Sequence, residues 1–510
     1  MLHIGGLTAR HARYRPKETA LVFGDRRWDW AAFERRLIKV ASALNAAGVG
    51  RGDAVVTVLP NRPELLEIYW AAAKIGAVVV PLSPMLMGEG IASLAGDAEA
   101  KVLVTQASLA AAVGDAAKRL PTVGDRFWSV DGAAHGLADY RKIVDAASES
   151  APTTAVAPED VYNIMYTSGT TGTPKGIVLT HQIRALYGTL FANAFRMAPE
   201  SVVMHSGSLV FNGAFVTMMP CFTVGARYVL AAQFDAPEAI ETIARECVTH
   251  TMMVPSQIVA LLSAPNFAAA KLASLETLLS LGAPLHQEHK DRLNALLPGR
   301  YYELYGLTEG FMTILDRDDA VRKTGSVGVP PPFQELRILG EDGREAKTGE
   351  VGEIAGRSPM LMREYYRRPD LTAEAVRGGW LFTGDLGFVD ADGFLHLVDR
   401  KKDMIDSGGV KVYPRDVEEI AARHPAVREV TVFGVPDEKW GESPFAAVVL
   451  AAPGATNEEE LREWINARVA ARYQRVKGVE ILADFPRSTA GKILRRELRD
   501  RHWQGRKSKI

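Results

Sequence analysis

Cysteine is nearly missing from this 510-residue chain, which holds only Cys221 and Cys247. Two thiols exclude a disulfide framework, argue against a cysteine-built zinc site, and fit a reducing compartment, so a cytoplasmic location is expected. Charge of one sign is not in excess either: 60 Lys and Arg stand against 61 Asp and Glu, a formal net charge of -1. Such a balance exerts no pull toward nucleic acid or an anionic membrane. Apolar runs are broken by Gly, Pro or polar residues well short of the length that spans a bilayer, so no integral membrane segment is expected. The opening MLHIGGLTARHARYRPKETA has no apolar core before a cleavage site and does not read as a secretory signal. Internal repeats are absent. The final Ser508-Lys509-Ile510 is one substitution from a peroxisomal address. What remains is ordinary globular material, 47% hydrophobic and 24% charged, long enough for two or more packed domains.

The first three quarters of the chain alternate strand-like and helix-like stretches. Ala54 to Leu59, Val78 to Leu82, Lys101 to Thr105, Val202 to Met204, Tyr228 to Leu230, Met252 to Val254 and Tyr301 to Tyr305 are short apolar or β-branched runs. Trp28 to Leu44, Glu64 to Ile75, Ala236 to Cys247 and Ser256 to Leu262 carry helical spacing. That alternation predicts an α/β fold with mainly parallel sheet. From about residue 326 to 399 the strands shorten and Gly-rich turns multiply (GEDG, TGEVGE, RGGW, TGDLG, DADG), which predicts a small antiparallel β-barrel or twisted sheet. A charged break at Asp399-Arg400-Lys401-Lys402-Asp403 then precedes an α+β unit. In it, Asp416 to Ala422, Asn457 to Ala471 and Lys492 to Asp500 read as helices, and Glu429 to Val435 and Phe445 to Leu450 as strands. The expected division is 1–399 and 400–510.

The segment richest in chemistry is Tyr166-Thr167-Ser168-Gly169-Thr170-Thr171-Gly172-Thr173-Pro174-Lys175-Gly176, which follows the strand-like run Tyr162 to Tyr166. Glycines let backbone N–H groups close on phosphate oxygens, hydroxyls add donors, and Lys adds positive charge. Because Lys175 follows Pro rather than Gly, this is not the Walker A design.

The segment resembles the signature loop of the acyl-adenylate-forming superfamily, which includes acyl-CoA synthetases, firefly luciferase and the adenylation domains of peptide synthetases. Further similar motifs follow in order along essentially the whole chain: Ser280-Leu281-Gly282-Ala283-Pro284, Tyr301 to Glu309, Gly349 to Ile354, Trp380 to Asp385, Asp399 to Asp403, and Pro486 to Lys492. The resemblance implies a large N-terminal domain and a small, mobile C-terminal one. It implies a carboxylate–CoA ligase using ATP, Mg²⁺ and coenzyme A: the acid becomes an acyl-adenylate with loss of pyrophosphate, then a thioester with loss of AMP.

Both reactants of the first step are anionic, so the site must screen repulsion and stabilise charge growing on phosphate. The resemblance makes Lys492 the main catalytic cation, Glu309 the Mg²⁺ ligand with Thr170 as a second candidate, and Lys175 the contact for outgoing pyrophosphate. It assigns Asp385 to the ribose hydroxyls, Arg400 to ribose or phosphate, and Tyr305 to the adenine face. Thr167 to Gly172, Gly282 to Pro284, Glu303 to Gly306 and Thr308 complete the ATP site. Lys402 matches the hinge, and Gly408, Gly409 and Trp440 match segments that line the CoA channel. Phe211, Asn212, Phe215, Leu281, Gly306, Phe311 and Met312 are the acyl-pocket candidates. No Arg or Lys stands out in those windows, which disfavours a dicarboxylate and leaves fatty, branched-chain and aryl acids open.

One departure stands out. Many CoA ligases carry His after an aromatic where this chain has Phe211-Asn212, and Asn cannot titrate. Peptide-synthetase domains that bind α-amino acids carry Asp there, so the uncharged Asn212 argues against a free amino acid. Lys492 lies eighteen residues from the end of the sequence, which favours free CoA over an appended carrier domain. Loading of a separate carrier protein stays open, and a catalytically dead nucleotide sensor is disfavoured because the expected ATP-site residues are present. The expected partners are the acid, ATP and CoA; a homodimer is left open.

Overall fold

The computed structural model describes residues 2–133, 136–167, 174–408, 410–487 and 493–503. Two eight-stranded sheets dominate residues 19–365. The first runs, edge to edge, Met312–Leu315, Tyr301–Gly306, Thr277–Leu281, His250–Met253, Val202–His205, Arg227–Leu230, Thr19–Phe23 and Arg26–Asp29. Its six inner strands are parallel and both edge strands antiparallel. The second runs Glu364–Tyr365, Lys175–Thr180, Val161–Thr167, Val78–Leu82, Ala54–Val58, Val102–Thr105, Phe127–Ser129 and Ala138–Asp139. It is parallel from Val161–Thr167 onward, while Lys175–Thr180 returns antiparallel and takes Glu364–Tyr365 on its free edge.

Strands buried on both faces need apolar residues without alternation, and Ala54–Val58 and Val78–Leu82 are buried throughout. The helix Pro63–Ile75 starts with Pro in its first turn and ends at Gly76 in the left-handed region, signals that start and stop a helix. With Trp30–Ala46, His181–Ala194 and Gly213–Val224 it feeds the largest apolar cluster, which takes side chains from both sheets.

The β-rich stretch is a five-stranded antiparallel sheet: Glu335–Leu339, Gly352–Arg357, Trp380–Val389 and Val376–Arg377 in order, with Leu395–Arg400 also on Trp380–Val389. Glu364–Tyr365 leaves it for the second large sheet. Beyond residue 400, Val410–Val412, Ile405–Ser407, Gly441–Leu450 and Val427–Asp437 pair in that order, and Val479–Leu482 lies parallel to Gly441–Leu450. Two expected helices are shorter than periodicity suggested. Asn457 to Ala471 is helical only over Glu458–Asn466, and the last helix is Arg495–His502. No helix among the described residues is long and apolar enough to cross a membrane.

Candidate active site

Three of the expected ligand-bearing segments follow or end parallel strands of the first sheet at their carboxyl ends, where open α/β sheets bind ligands. Thr277–Leu281 and Tyr301–Gly306 are in register, with Leu281 opposite Leu304. The exposed turn Gly282-Ala283-Pro284 therefore emerges beside Tyr305 and Gly306. Phe211 and Asn212 follow Val202–His205 two strands away.

Three predicted nucleotide residues meet in one corner. The Tyr305 hydroxyl donates to Asp385 Oδ2 at 2.7 Å, and Arg400 Nε lies 3.4 Å from Asp385 Oδ1. The antiparallel sheet places them so: Asp385 and Arg400 are direct cross-strand partners. Burial, and next Asp385, push the Tyr305 phenol well above its ordinary range, so it stays a neutral donor. A carboxylate offers about four lone-pair sites and so can accept from several donors at once.

A second cluster forms at the base of the phosphate loop. Val161–Thr167 and Lys175–Thr180 make a hairpin with Thr167 opposite Lys175. Ser168, Gly169, Thr170, Thr171 and Gly172 at its tip lie outside the described residues, as do Gly409 and Lys492. Lys175 Nζ sits 4.9 Å from the centre of the Tyr365 ring, and the Tyr365 hydroxyl donates to Glu309 Oε1 at 2.7 Å. Tyr365 thus joins the loop lysine to the expected metal carboxylate. Nothing in the sequence around Tyr365 marks it; only its pairing with Lys175–Thr180 brings it here. Gly310 holds the turn after Glu309, with φ of 108° and no room for a Cβ, which would fall 1.9 Å from the Met360 carbonyl oxygen. Among the described residues no group of three or more His, Cys, Asp and Glu could hold a metal. A single carboxylate suits Mg²⁺, which keeps waters and takes substrate phosphates as its other ligands.

Other candidates are placed differently. Glu303 is buried, 2.5 Å from Lys290 Nζ, and accepts from the Tyr301 hydroxyl at 3.1 Å. Its carboxylate is engaged in the interior by these two partners. The Phe311 ring is fully buried in the core of the antiparallel sheet, against Gly356. Phe215 and Met312 are likewise buried in the largest core cluster, leaving Phe211, Asn212 and Leu281 half-buried and Gly306 exposed at the open side. Leu304 is buried and Thr308 half-buried in the turn before Glu309.

Asn212 is held by a residue that motif reading missed. Its Oδ1 accepts from Arg184 Nη1 at 2.9 Å, and its Nδ2 lies 3.4 Å from the Tyr187 hydroxyl.

Beyond residue 400 two CoA candidates touch. Gly408 N donates to the Trp440 carbonyl at 2.7 Å, and a Cβ on Gly408 would stand 2.6 Å from the half-exposed Trp440 ring. Lys402 borders a small cavity with Asp403, Arg495, Arg496 and Arg499. Burial lowers its ammonium, against the opposing charge of Asp403.

The chain is similar to known proteins over nearly its whole length. The family described as AMP-binding enzyme matches residues 8–366, and the AMP-binding enzyme C-terminal domain matches 416–492. A feruloyl-CoA synthase from Amycolatopsis is 36% identical, covering 98% of this chain and 99% of its own. The long-chain-fatty-acid–CoA ligase FadD13 of Mycobacterium tuberculosis is 33% identical, with the same coverage. Among solved structures, the anthranilate CoA ligase AuaEII in complex with anthranoyl-AMP superposes with a TM-score of 0.90 at 25% identity, covering 98% of each chain. The chain belongs to the AMP-binding, acyl-adenylate-forming enzyme family.

Proposed function

We propose that this protein is an ATP-dependent carboxylic acid–CoA ligase that acts in the cytoplasm on a monocarboxylic fatty or aryl acid. The observation that carries the reading is two clusters that share the segment from Tyr305 to Glu309: Tyr305–Asp385–Arg400, suited to a nucleoside, and Lys175–Tyr365–Glu309, suited to its phosphates. Relatives that are CoA ligases along nearly their whole length support the second half of the reaction.

In the first step the substrate carboxylate attacks the α-phosphorus of ATP, the bond to the β-phosphate oxygen breaks, and pyrophosphate leaves. Asp385 accepts from the ribose hydroxyls, with Tyr305 and Arg400 fixing its orientation. Lys175 and Lys492 supply positive charge to the reacting phosphate, where preorganised charge lowers the barrier most. Glu309, with Thr170, would hold Mg²⁺, which offsets phosphate charge when bound. In the second step the CoA thiol, having given up its proton, attacks the acyl carbon and AMP leaves. Residues 400–510 form the mobile unit on this reading: they carry Lys492 for the first step and the Gly408–Trp440 surface for the second, with Lys402 at the hinge.

Lys492→Ala should cut adenylation by about a thousandfold while leaving transfer from preformed acyl-adenylate to CoA within a few-fold. Pyrophosphate exchange and single-turnover thioester formation measure the two separately. Equal loss in both would defeat the assignment.

A further inference from the structure

Three residues beside the phosphate-loop hairpin sit where local chemistry disfavours them. Asp97 is the last residue of the helix Gly88–Asp97, which has no basic residue in its final turn. A carboxylate there faces the negative end of the helix dipole, so the helix itself gains nothing from it. Two residues on, Glu99 takes a φ of 52° and pairs with Arg367 Nη2 at 2.6 Å; Arg367 itself has a φ of 54°. Both lie in the left-handed region, which residues other than Gly rarely adopt. Such strain persists where the surroundings hold it, and it gathers at functional sites.

What the three share is the base of the hairpin. Tyr166 stands one step below Thr167, opposite Gly176. Its hydroxyl donates to Asp97 Oδ2. A hydrogen bond to a charged acceptor is roughly twice as strong as one between neutral groups. Burial, and next Asp97, push the Tyr166 phenol well above its ordinary range, so it stays a donor. The Tyr166 ring crosses Gly176, where a Cβ would stand 3.1 Å from Tyr166 Cε1 and 3.2 Å from Tyr366 Cβ. Gly176 is thus kept small so that two tyrosines can close over it. From the other side, Tyr366 N donates to the Gly176 carbonyl at 2.7 Å, and the Arg367 guanidinium carbon lies 5.2 Å from the centre of the Tyr366 ring. Asp97 therefore holds the strand leading into the loop, and Glu99, through Arg367, holds the segment backing the strand that leads out. The Glu99–Arg367 pair is exposed and contributes little alone, which leaves Tyr166–Asp97 as the stronger tie.

We infer that Tyr166 is a positioning residue for MgATP: anchored to Asp97, it fixes the hairpin base so that Thr167 and Lys175 stand ready for the β- and γ-phosphates beside Glu309. This rests on the ATP half of the ligase reading above and adds to it a residue pair outside the nucleotide contacts. Its signature is selective, since a ligand without those two phosphates gains nothing from a fixed hairpin base.

The test is binding of MgATP and of AMP to the full chain by titration calorimetry, with acyl-CoA formation measured in parallel. Tyr166→Phe keeps the ring and loses the hydroxyl. It should weaken MgATP about fivefold and AMP by less than about twofold. Asp97→Ala, at an exposed position, should do the same and serves as the readout if the tyrosine variant fails to fold. Asp97→Asn keeps an acceptor oxygen and should restore most of the loss. The double variant Tyr166→Phe/Asp97→Ala should stay near about fivefold, because both changes remove the same bond, whereas independent effects would multiply to about twenty-fivefold. A generally loosened fold would weaken both nucleotides alike. Equal effects on the two nucleotides, unchanged MgATP binding in both single variants, or multiplied losses would overturn the inference. The expected binding pattern without acyl-CoA formation would count against the ligase reading alone, and acyl-CoA formation without that pattern against this inference alone.

Discussion

Tyr365 shows how much one hydroxyl can organise. It holds Glu309 in place from a strand of only two residues, and its ring lies under Lys175. Burial, then the Glu309 charge, keep the phenol protonated at all working pH. Tyr365→Phe keeps the ring and loses the hydrogen bond, worth about 1 kcal/mol net. The expected outcome is a roughly fivefold rise in KM for MgATP with thermal stability little changed, read by steady-state pyrophosphate release. Titration at the residue scale concerns stability more than catalysis. His181 and His205 are buried, and burial pushes each down to about 4 from an ordinary 6.5. A depressed folded-state value means their stabilising contribution is complete above about pH 6.5 and is lost as pH falls toward 4. Thermal unfolding between pH 7.5 and 4.5 should show a falling midpoint, and His205→Phe, which keeps a ring beside Tyr228, should flatten that fall. An unchanged slope in the variant would assign the acid sensitivity elsewhere.

At the scale of elements, the contact between the turn at Gly408 and Trp440 sets the next expectation. Gly408 has φ of 65°, in the left-handed region, and its missing Cβ is the space the indole occupies. Gly408→Ala should slow thioester formation several-fold while pyrophosphate exchange stays near wild type, as rapid-quench measurement of both half-reactions would show. Unchanged transfer would remove this turn from the CoA path. The same scale shows what could be read from sequence. Buried parallel strands such as Val78–Leu82 were legible because continuous β-branched runs have few other uses. The helix Leu7–Tyr14 was not, because its buried positions include Thr8 and His11, which carry no apolar period. Glu364–Tyr365 is too short to show alternation. Asp385, Arg400, Tyr305, Glu309 and Lys175 were legible as members of ordered motifs, and the fold brings them into two clusters. Arg184, Tyr365 and Lys290 were not, since their importance arises from contacts across 28, 56 and 13 positions that no local pattern encodes.

For the whole molecule, the question is how residues beyond 400 are held against the rest. Arg495 bridges the two, with Nη2 2.6 Å from Glu418 and Nη1 3.5 to 3.6 Å from Asp403 and Asp399. Arg415 adds a backbone N–H to Asp399 and a guanidinium bond to the Leu397 carbonyl, and Lys411 pairs with Glu341. One guanidinium facing three carboxylates leaves excess negative charge. Burial pushes Asp399 up to about 6, against the pull of Arg495. A raised value means its contribution to this arrangement is fullest below about pH 4 and is lost as pH rises through 6, opposite in sign to the histidines. Arg495→Met leaves the carboxylates facing one another and should cost about 2 kcal/mol, less than a fully sealed pair because the side chain is partly exposed; chemical denaturation measures it. The central claim is that adenylation and thioester formation share one site in this chain. The most direct measurement is pyrophosphate release and acyl-CoA formation over a panel of fatty, branched-chain and aryl acids, with and without CoA. Acid-dependent release that yields acyl-CoA and AMP in equal amounts only when CoA is present is the predicted result. Acyl-adenylate that forms and persists with CoA present, with no thioester product for any acid, would contradict it.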